Sequence, residues 1–310
     1  MDYASIVSKQ VFSLFVILII GYLASSFGFL SKKTADGMSK LLVYVTNPLV
    51  IFMAFQQGIG AGKWGEMFTI IGVSCIIHIG ATLLAMFMFR HRPGREANAL
   101  RFSVIFSNCG YMGYPLLRAV FPQNGMFYGA CYVLFFTLYM WTVGVFMLSA
   151  GKRGATASCL KKAIFNPGVI AAVLGLVFCV LGIGIPGPVA SALNSTADMT
   201  FPLAMLVLGN MLRFSPLKSL LMNGGAYFAS FVKLLLIPAI VLVFCVLLGL
   251  GEGTTYICII MAATPCATKA PIMAEIYGAD RTSALAATAI SSLACVATIP
   301  LMMYLTQLVL

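Results

Sequence analysis

Carboxylates are scarce in this 310-residue chain: eight Asp and Glu stand against nineteen Lys and Arg, and only 9% of residues are charged. So few acids argue against a sodium site built from acidic side chains, although backbone carbonyls can still form one. Two histidines, His78 and His91, offer little from which to assemble a nucleophile–base pair or a metal centre. None of the nine cysteines stands in a C-x-x-C spacing, and most fall in apolar runs where Cys acts as a small apolar residue. Neither a disulfide framework nor a metal or other cofactor is expected. There is no phosphate-binding P-loop, so any work the protein does draws on an ion gradient, a membrane potential or exchange. Long polar stretches are missing too. The longest polar connection, around 150–163, holds barely a dozen residues, too few for a soluble catalytic domain. An enzyme is therefore not expected.

Apolar sequence is what remains. The chain is 61% hydrophobic with mean hydropathy +1.02, more than a soluble domain can hide, and the class is an all-α polytopic membrane protein. About 20 apolar residues cross a bilayer as a helix. Ten such segments are expected, near 6–28, 38–57, 66–89, 100–120, 126–149, 165–184, 197–212, 225–249, 254–277 and 282–309. The first is too long for a signal-peptide core, and "YLASSFGF" is a poor cleavage site. A net charge of +11 could suggest a nucleic-acid partner, but its distribution does not. With alternating connections, Lys32, Lys33 and Lys40, Arg90, Arg92, Arg95 and Arg101, Lys152, Arg153, Lys161 and Lys162, Arg213 and Lys218, and Arg281 share one side. Only Lys9, Lys63 and Arg118 lie opposite. The basic side is cytoplasmic by the positive-inside rule, both termini face outward, and the charge also suits anionic membrane lipid.

The two halves resemble each other. "VTNPLV" (45–50) aligns with "MTFPLA" (199–204), and "PLLRAVFPQNG" from Pro115 with "PIMAEIYGADR" from Pro271, at offsets near half the chain. The expected organisation is a five-helix repeat over 1–150, a basic cytoplasmic linker over 151–163, and a second repeat over 164–310. An odd number of spans per repeat makes the second inverted, an architecture of secondary transporters. Within it, "FSNCGYMGYPLL" (106–117) breaks span 4 with Gly110, Gly113 and Pro115, and span 9 is broken at Pro265 and Pro271. Unwound backbone inside a membrane is tolerated only against protein or a cavity, so paired breaks point to a binding site. Its freed amides and helix N-termini suit a carboxylate. The alternative is that these residues merely kink or pack helices.

The stretches "SNCGYMGYPLLRAVF", "PLAMLVLGNML" (202–212) and "AATPCATKAPIMAEIYGADRTSALAATAISS" (262–292) resemble the auxin efflux carrier family, which includes bacterial permeases for malate, malonate and similar acids. The resemblance spans nearly the whole chain. It implies two inverted five-helix repeats with crossover helices 4 and 9, a homodimer, spans 1, 2, 6 and 7 as scaffold, and spans 3–5 and 8–10 as a moving transport domain. It also implies that Asn108 and Pro115, with Pro265 from span 9, form the carboxylate site. One position departs from the pattern: bacterial members often carry Asn in the stretch after that proline, where this chain has Lys269.

An ammonium inside the membrane is expensive enough that Lys269 reads as a counter-ion for an anionic substrate, the alternative being a lysine that snorkels to an interface. Ser107, Thr264 and Thr268 are its expected neighbours in the site. Asn108 could instead satisfy broken backbone. His78 in span 3 could couple protons or be a buried neutral histidine, and Asp198 could couple protons or cap the helix of span 7. Glu66 and Glu275 read as interfacial, and Gln56, Gln57 and Asn210 as possible cavity residues. The expected function is alternating-access, elevator-type transport of a small mono- or dicarboxylate. An anion channel, which needs a continuous polar pore, and a sodium-coupled symporter of the bile-acid type stay open as alternatives.

Overall fold

A computed structural model describes residues 2–56, 64–149 and 165–310. The expected linker 151–163, with four of the basic residues, and Gln57 and Lys63 lie outside the described residues. Among the described residues every regular element is helical, apart from a single antiparallel bridge between Ser107 and Cys266.

Six continuous helical stretches are long and apolar enough to cross a membrane. They are α1 (Tyr3–Ser26); α2 (Lys32–Leu41) running on into α3 (Asn47–Gln56); α4 (Trp64–Met88); α7 (Gly125–Tyr139) with α8 (Val145–Leu148); α13 (Gly224–Phe231) with α14 (Ile237–Leu247); and α17 (Arg281–Val309). Between them lie α5 (Gly94–Ile105), α6 (Tyr114–Val120), α9 (Pro167–Leu181), α10 (Gly187–Asp198), α11 (Thr200–Arg213), α12 (Leu217–Leu221), α15 (Glu252–Ala263) and α16 (Ala270–Tyr277). Helix starts follow local chemistry. Asp2 accepts from Ser5 N–H, Asn166 from Gly168 N–H ahead of Pro167, and Asp280 from Thr282 and Ser283 N–H.

Three continuous stretches and the start of α6 pass through five-residue π-helical segments: Leu42–Thr46, Met140–Gly144, Val232–Leu236 and Cys109–Gly113. Three of these end two residues before a proline, namely Pro48, Pro238 and Pro115. A wider turn gives room for a ring that would otherwise strike the preceding carbonyl, so the helix continues rather than ending.

The polarity is inverted relative to a soluble protein. Val173, Leu174, Val177 and Val180 of α9 are exposed, while Ser74, His78, Asn108, Asn210, Lys233 and Thr288 are buried. Apolar side chains outside and polar ones within fit a multi-pass membrane protein. The two sequence halves interleave: α1 packs on α11 and α17, α3 on α9, and α5 on α17 and α13. At the α1–α11 crossing Gly21 lies against the Leu206 backbone and Gly209 against the Leu18 carbonyl, so close that a Cβ on Gly209 would sit 2.2 Å from that oxygen. Small residues at such a crossing let backbones touch. Asn210 secures it by donating to Ser25 Oγ at 2.9 Å and Leu30 O at 2.8 Å, which places it in helix packing rather than at a cavity.

Candidate functional site: two broken helices and a polar cleft

The expected span 4 is interrupted, but not where its glycines and proline suggested. Helix α5 ends at Ile105, Phe106 is extended, and the chain re-enters helix through the Cys109–Gly113 π segment. Pro115 then falls in the first turn of α6, where a missing N–H is harmless. Gly110, Gly113 and Pro115 thus belong to the restart of the helix, and the break itself is 106–108. In the second half α15 ends at Ala263, Thr264 is extended, and the helix resumes at Ala270 with Pro271 in its first turn. Pro265 lies in the break, whereas Pro271 helps to start α16.

The two breaks satisfy each other. Asn108 N donates to Pro265 O at 2.7 Å and Ala267 N to Phe106 O at 2.9 Å, which together make the bridge between Ser107 and Cys266. Cys266 N donates to Ser291 Oγ at 3.0 Å, and Thr288 Oγ1 to the Ala267 carbonyl at 3.4 Å. Backbone that leaves a helix away from water must find partners, and here each broken segment is a short strand for the other. Gly113 allows the approach: a Cβ there would sit 2.6 Å from Met261 Sδ.

A polar cleft opens beside this crossing. Ser107, Asn108, Gly110, Tyr111, Thr268 and Lys269 line it from the breaks, Thr137 and Trp141 from the α7–α8 stretch, and Asn47 and Asn166 from the starts of α3 and α9. It encloses about 40 Å³ of water-accessible space, room for on the order of three waters. Two buried polar atoms in it have no hydrogen-bond partner among the described residues: Asn108 Nδ2 and the Tyr111 hydroxyl. The Lys269 ammonium sits over the Tyr111 ring, 5.3 Å from its centroid. Lys269 also occupies the residue just before α16, where the partial positive charge of the helix end adds to its own. A cation there is disfavoured unless an anion joins it. Chemically, the cleft offers an ammonium, an amide donor, a phenol and a helix start, which is an anion-binding set.

Of the residues singled out in the sequence, Asn108, Ser107, Gly110, Thr268 and Lys269 meet in this cleft. Thr264 does not: its Oγ1 donates to Met261 O at 2.9 Å, the carbonyl orphaned because Pro265 has no N–H. His78 is buried with Nδ1 2.6 Å from Ser74 O, its ring among Phe106, Tyr132, Phe135, Phe136 and Tyr139; of these Phe136 lines the cleft, but His78 itself does not. Asp198 ends α10 rather than capping α11, and its Oδ1 accepts from Arg118 Nη1 at 2.7 Å. Glu66 accepts from the Tyr128 hydroxyl, and Glu275 pairs with Arg281 at 3.4 Å, both on exposed surface. Sequence reasoning misses Asn47 and Asn166. Both precede a proline at the start of an apolar helix, "NPL" and "NPG", and that repeated dipeptide is the available signal. It also misses Lys233, which reads in the sequence only as one more charge inside a span and which the fold buries.

Apolar helices packed around two mutually bonded helix breaks, with a polar cleft at the join, define a membrane transporter. Comparison with known proteins agrees. Residues 6–303 match the family described as membrane transport protein. The chain belongs to that family, the auxin efflux carrier family that its motifs resemble. It is 25% identical over 272 residues to an uncharacterized transporter of Methanothermobacter thermautotrophicus, covering 86% of this chain and 87% of the relative. It is 21% identical over 305 residues to the uncharacterized transporter YfdV of Escherichia coli K12, covering 95% and 96%. A protein named putative malonate transporter in Rhizobium meliloti is 23% identical over 314 residues, covering 97% and 96%.

Proposed function

We propose that this protein is a secondary carrier of small organic anions, mono- or dicarboxylates, bound in the cleft at the crossing of the two broken helices. One observation carries the reading: a buried amide donor with no partner among the described residues, Asn108 Nδ2, shares the cleft with the Lys269 ammonium. A carboxylate supplies the acceptor the amide lacks and the negative charge the lysine and the α16 start favour. The name of the Rhizobium relative makes malonate the first acid to try.

The proposed architecture has ten spans in two inverted five-helix repeats, with α5–α6 and α15–α16 as the crossovers, both termini outside the cell membrane, and a homodimer as the family resemblance implies. Movement is of the elevator type. The cleft is lined by the crossing and the α7–α8 stretch and by α3 and α9, so sliding the first group past the second would carry the site with it. Its present volume is too small for a dicarboxylate, which fits a closed state that opens to load.

The reading is tested by thermal unfolding of the purified protein against a panel of organic acids. A small carboxylate is expected to raise the transition temperature saturably, since a ligand at 100 times its Kd adds about 2.7 kcal/mol. Stabilisation by neutral or cationic solutes and by none of the acids would sink it.

The Arg118–Asp198 pair joins α6 to the end of α10, which packs on α3, and so bridges the two proposed groups. Its side chains are 55% and 51% exposed, and such pairs contribute about 0–1 kcal/mol. Arg118→Gln is therefore expected to shift the melting temperature by less than about 4 °C, at 2–4 °C per kcal/mol, while altering transport rate in proteoliposomes. A large melting shift with unchanged rate would make the pair a structural staple instead.

A further inference from the structure

The crossing has a second charged group that the cleft does not use. Lys233 lies in the Val232–Leu236 π segment between α13 and α14, is only 2% exposed, and does not line the cleft. Its Nζ donates to Ala262 O at 3.1 Å, in the last turn of α15. That carbonyl needs a donor for a definite reason. In a continuing helix it would accept from Cys266 N–H, but Cys266 N–H is bonded to Ser291 Oγ. Lys233 thus places a full positive charge at the carboxyl end of a broken helix, the end that carries partial negative charge.

No carboxylate balances it. All eight acidic residues of the chain lie among the described residues, none is buried, and none forms an ion pair with Lys233. The compensation shown for this buried cation is therefore the carboxyl end of α15, through the Ala262 carbonyl, and helix-end carbonyls are also how broken helices in transporters hold a coupling Na⁺. The sequence offset that aligns Pro115 with Pro271 also sets Phe106 opposite Ala262, and His78 falls within a residue of the position matching Lys233. His78 packs its ring 6.3 Å from Phe106 but gives its Nδ1 to the Ser74 carbonyl of its own helix. Of the two, only Lys233 bonds the crossing.

We propose that the Lys233 ammonium is a tethered cation standing where a coupling ion would otherwise bind, so that the crossing is held in its folded geometry without Na⁺. This deepens the carrier reading and rests on it for the idea of coupling, but its test needs no substrate. A Na⁺ ion brought to the same carbonyl end would meet a like charge and no buried carboxylate. The lysine also moves with the protein and is never released, so Na⁺ is not carried at this position.

The experiment is thermal unfolding of the full-length protein in sodium, potassium and choline chloride at equal ionic strength. Wild type is expected to melt at the same temperature in all three; saturable stabilisation by Na⁺ over choline would overturn the proposal without any variant. Lys233→Ala leaves Ala262 O buried and without its donor, and is expected to melt roughly 5 °C lower. Ethylammonium or Na⁺, but not choline, should restore it in a saturable way. Lys233→Met keeps the bulk without the charge and should be as unstable, with no cation response. If Lys233→Met melts like wild type, the charge is not needed and the proposal fails. An organic-acid panel that finds no ligand would defeat the carrier reading while leaving these melting curves as they are.

Discussion

Replacing Lys269 with Gln is expected to weaken binding of the carried anion about 10- to 150-fold, on a charge-assisted bond of about 1.5–3 kcal/mol at tenfold per 1.4 kcal/mol. The fold should survive, because the ammonium is half-buried at the cleft and its contacts among the described residues are with the Tyr111 ring rather than with a carboxylate. Lys269→Arg should recover less than its charge suggests, since a planar guanidinium needs a different pocket from a compact ammonium. Asn108→Ala separates binding from stability. Its Nδ2 has no partner among the described residues, so removing it sacrifices no side-chain amide bond there and the melting temperature should hold or rise. Anion affinity should nevertheless fall. If both residues hold one carboxylate, the double variant loses less than the sum of the singles. Titration calorimetry with the acid found in the thermal screen reads all three. Wild-type affinity in Lys269→Gln would make the lysine structural and remove it from the site.

The largest effect on folding is expected at the α1–α11 crossing. In Gly209→Ala the new Cβ would lie 2.2 Å from Leu18 O and 2.6 Å from Tyr22 N, both backbone atoms that no rotamer change can move. The helices must separate, which strains Asn210's bonds to Ser25 and Leu30 as well. Overpacking of this kind destabilises by about 1–3 kcal/mol, which predicts a melting temperature lower by roughly 2–12 °C. Gly209→Val should not be recoverable as a monodisperse protein. The same change at Gly72, where nothing lies within 4 Å, is the control and should be nearly silent. If Gly209→Ala melts with the control, the crossing is looser than its geometry.

How much of this is legible in the sequence depends on the length scale of each signal. Membrane class is a sum over the whole chain, and hydropathy of that size has no other physical outlet than lipid-facing helices. The helix breaks are legible as regions because Gly and Pro cluster at them, and Asn108 and Lys269 stand out because polar groups are costly among apolar ones. Position within those regions is not. Pro115 and Pro271 read as breakers, yet each lies in the first turn of a helix, because what a proline does depends on whether its N–H was needed there.

Pairing was decided by tertiary structure alone. That the amide of Asn108 meets Pro265 O, that Thr264 serves the carbonyl of Met261 and not a ligand, and that Asp198 finds Arg118 are matters of which segments touch. The same holds for Lys233: any lysine in an apolar run reads as expensive, but only the diversion of Cys266 N–H to Ser291 leaves the carbonyl that holds it. Composition and period determined that these helices form and seek one another, because burial and backbone bonding act residue by residue. Which orphaned group completes which was left to the packed structure, because a hydrogen bond has a partner only when distant segments are brought within about 3 Å.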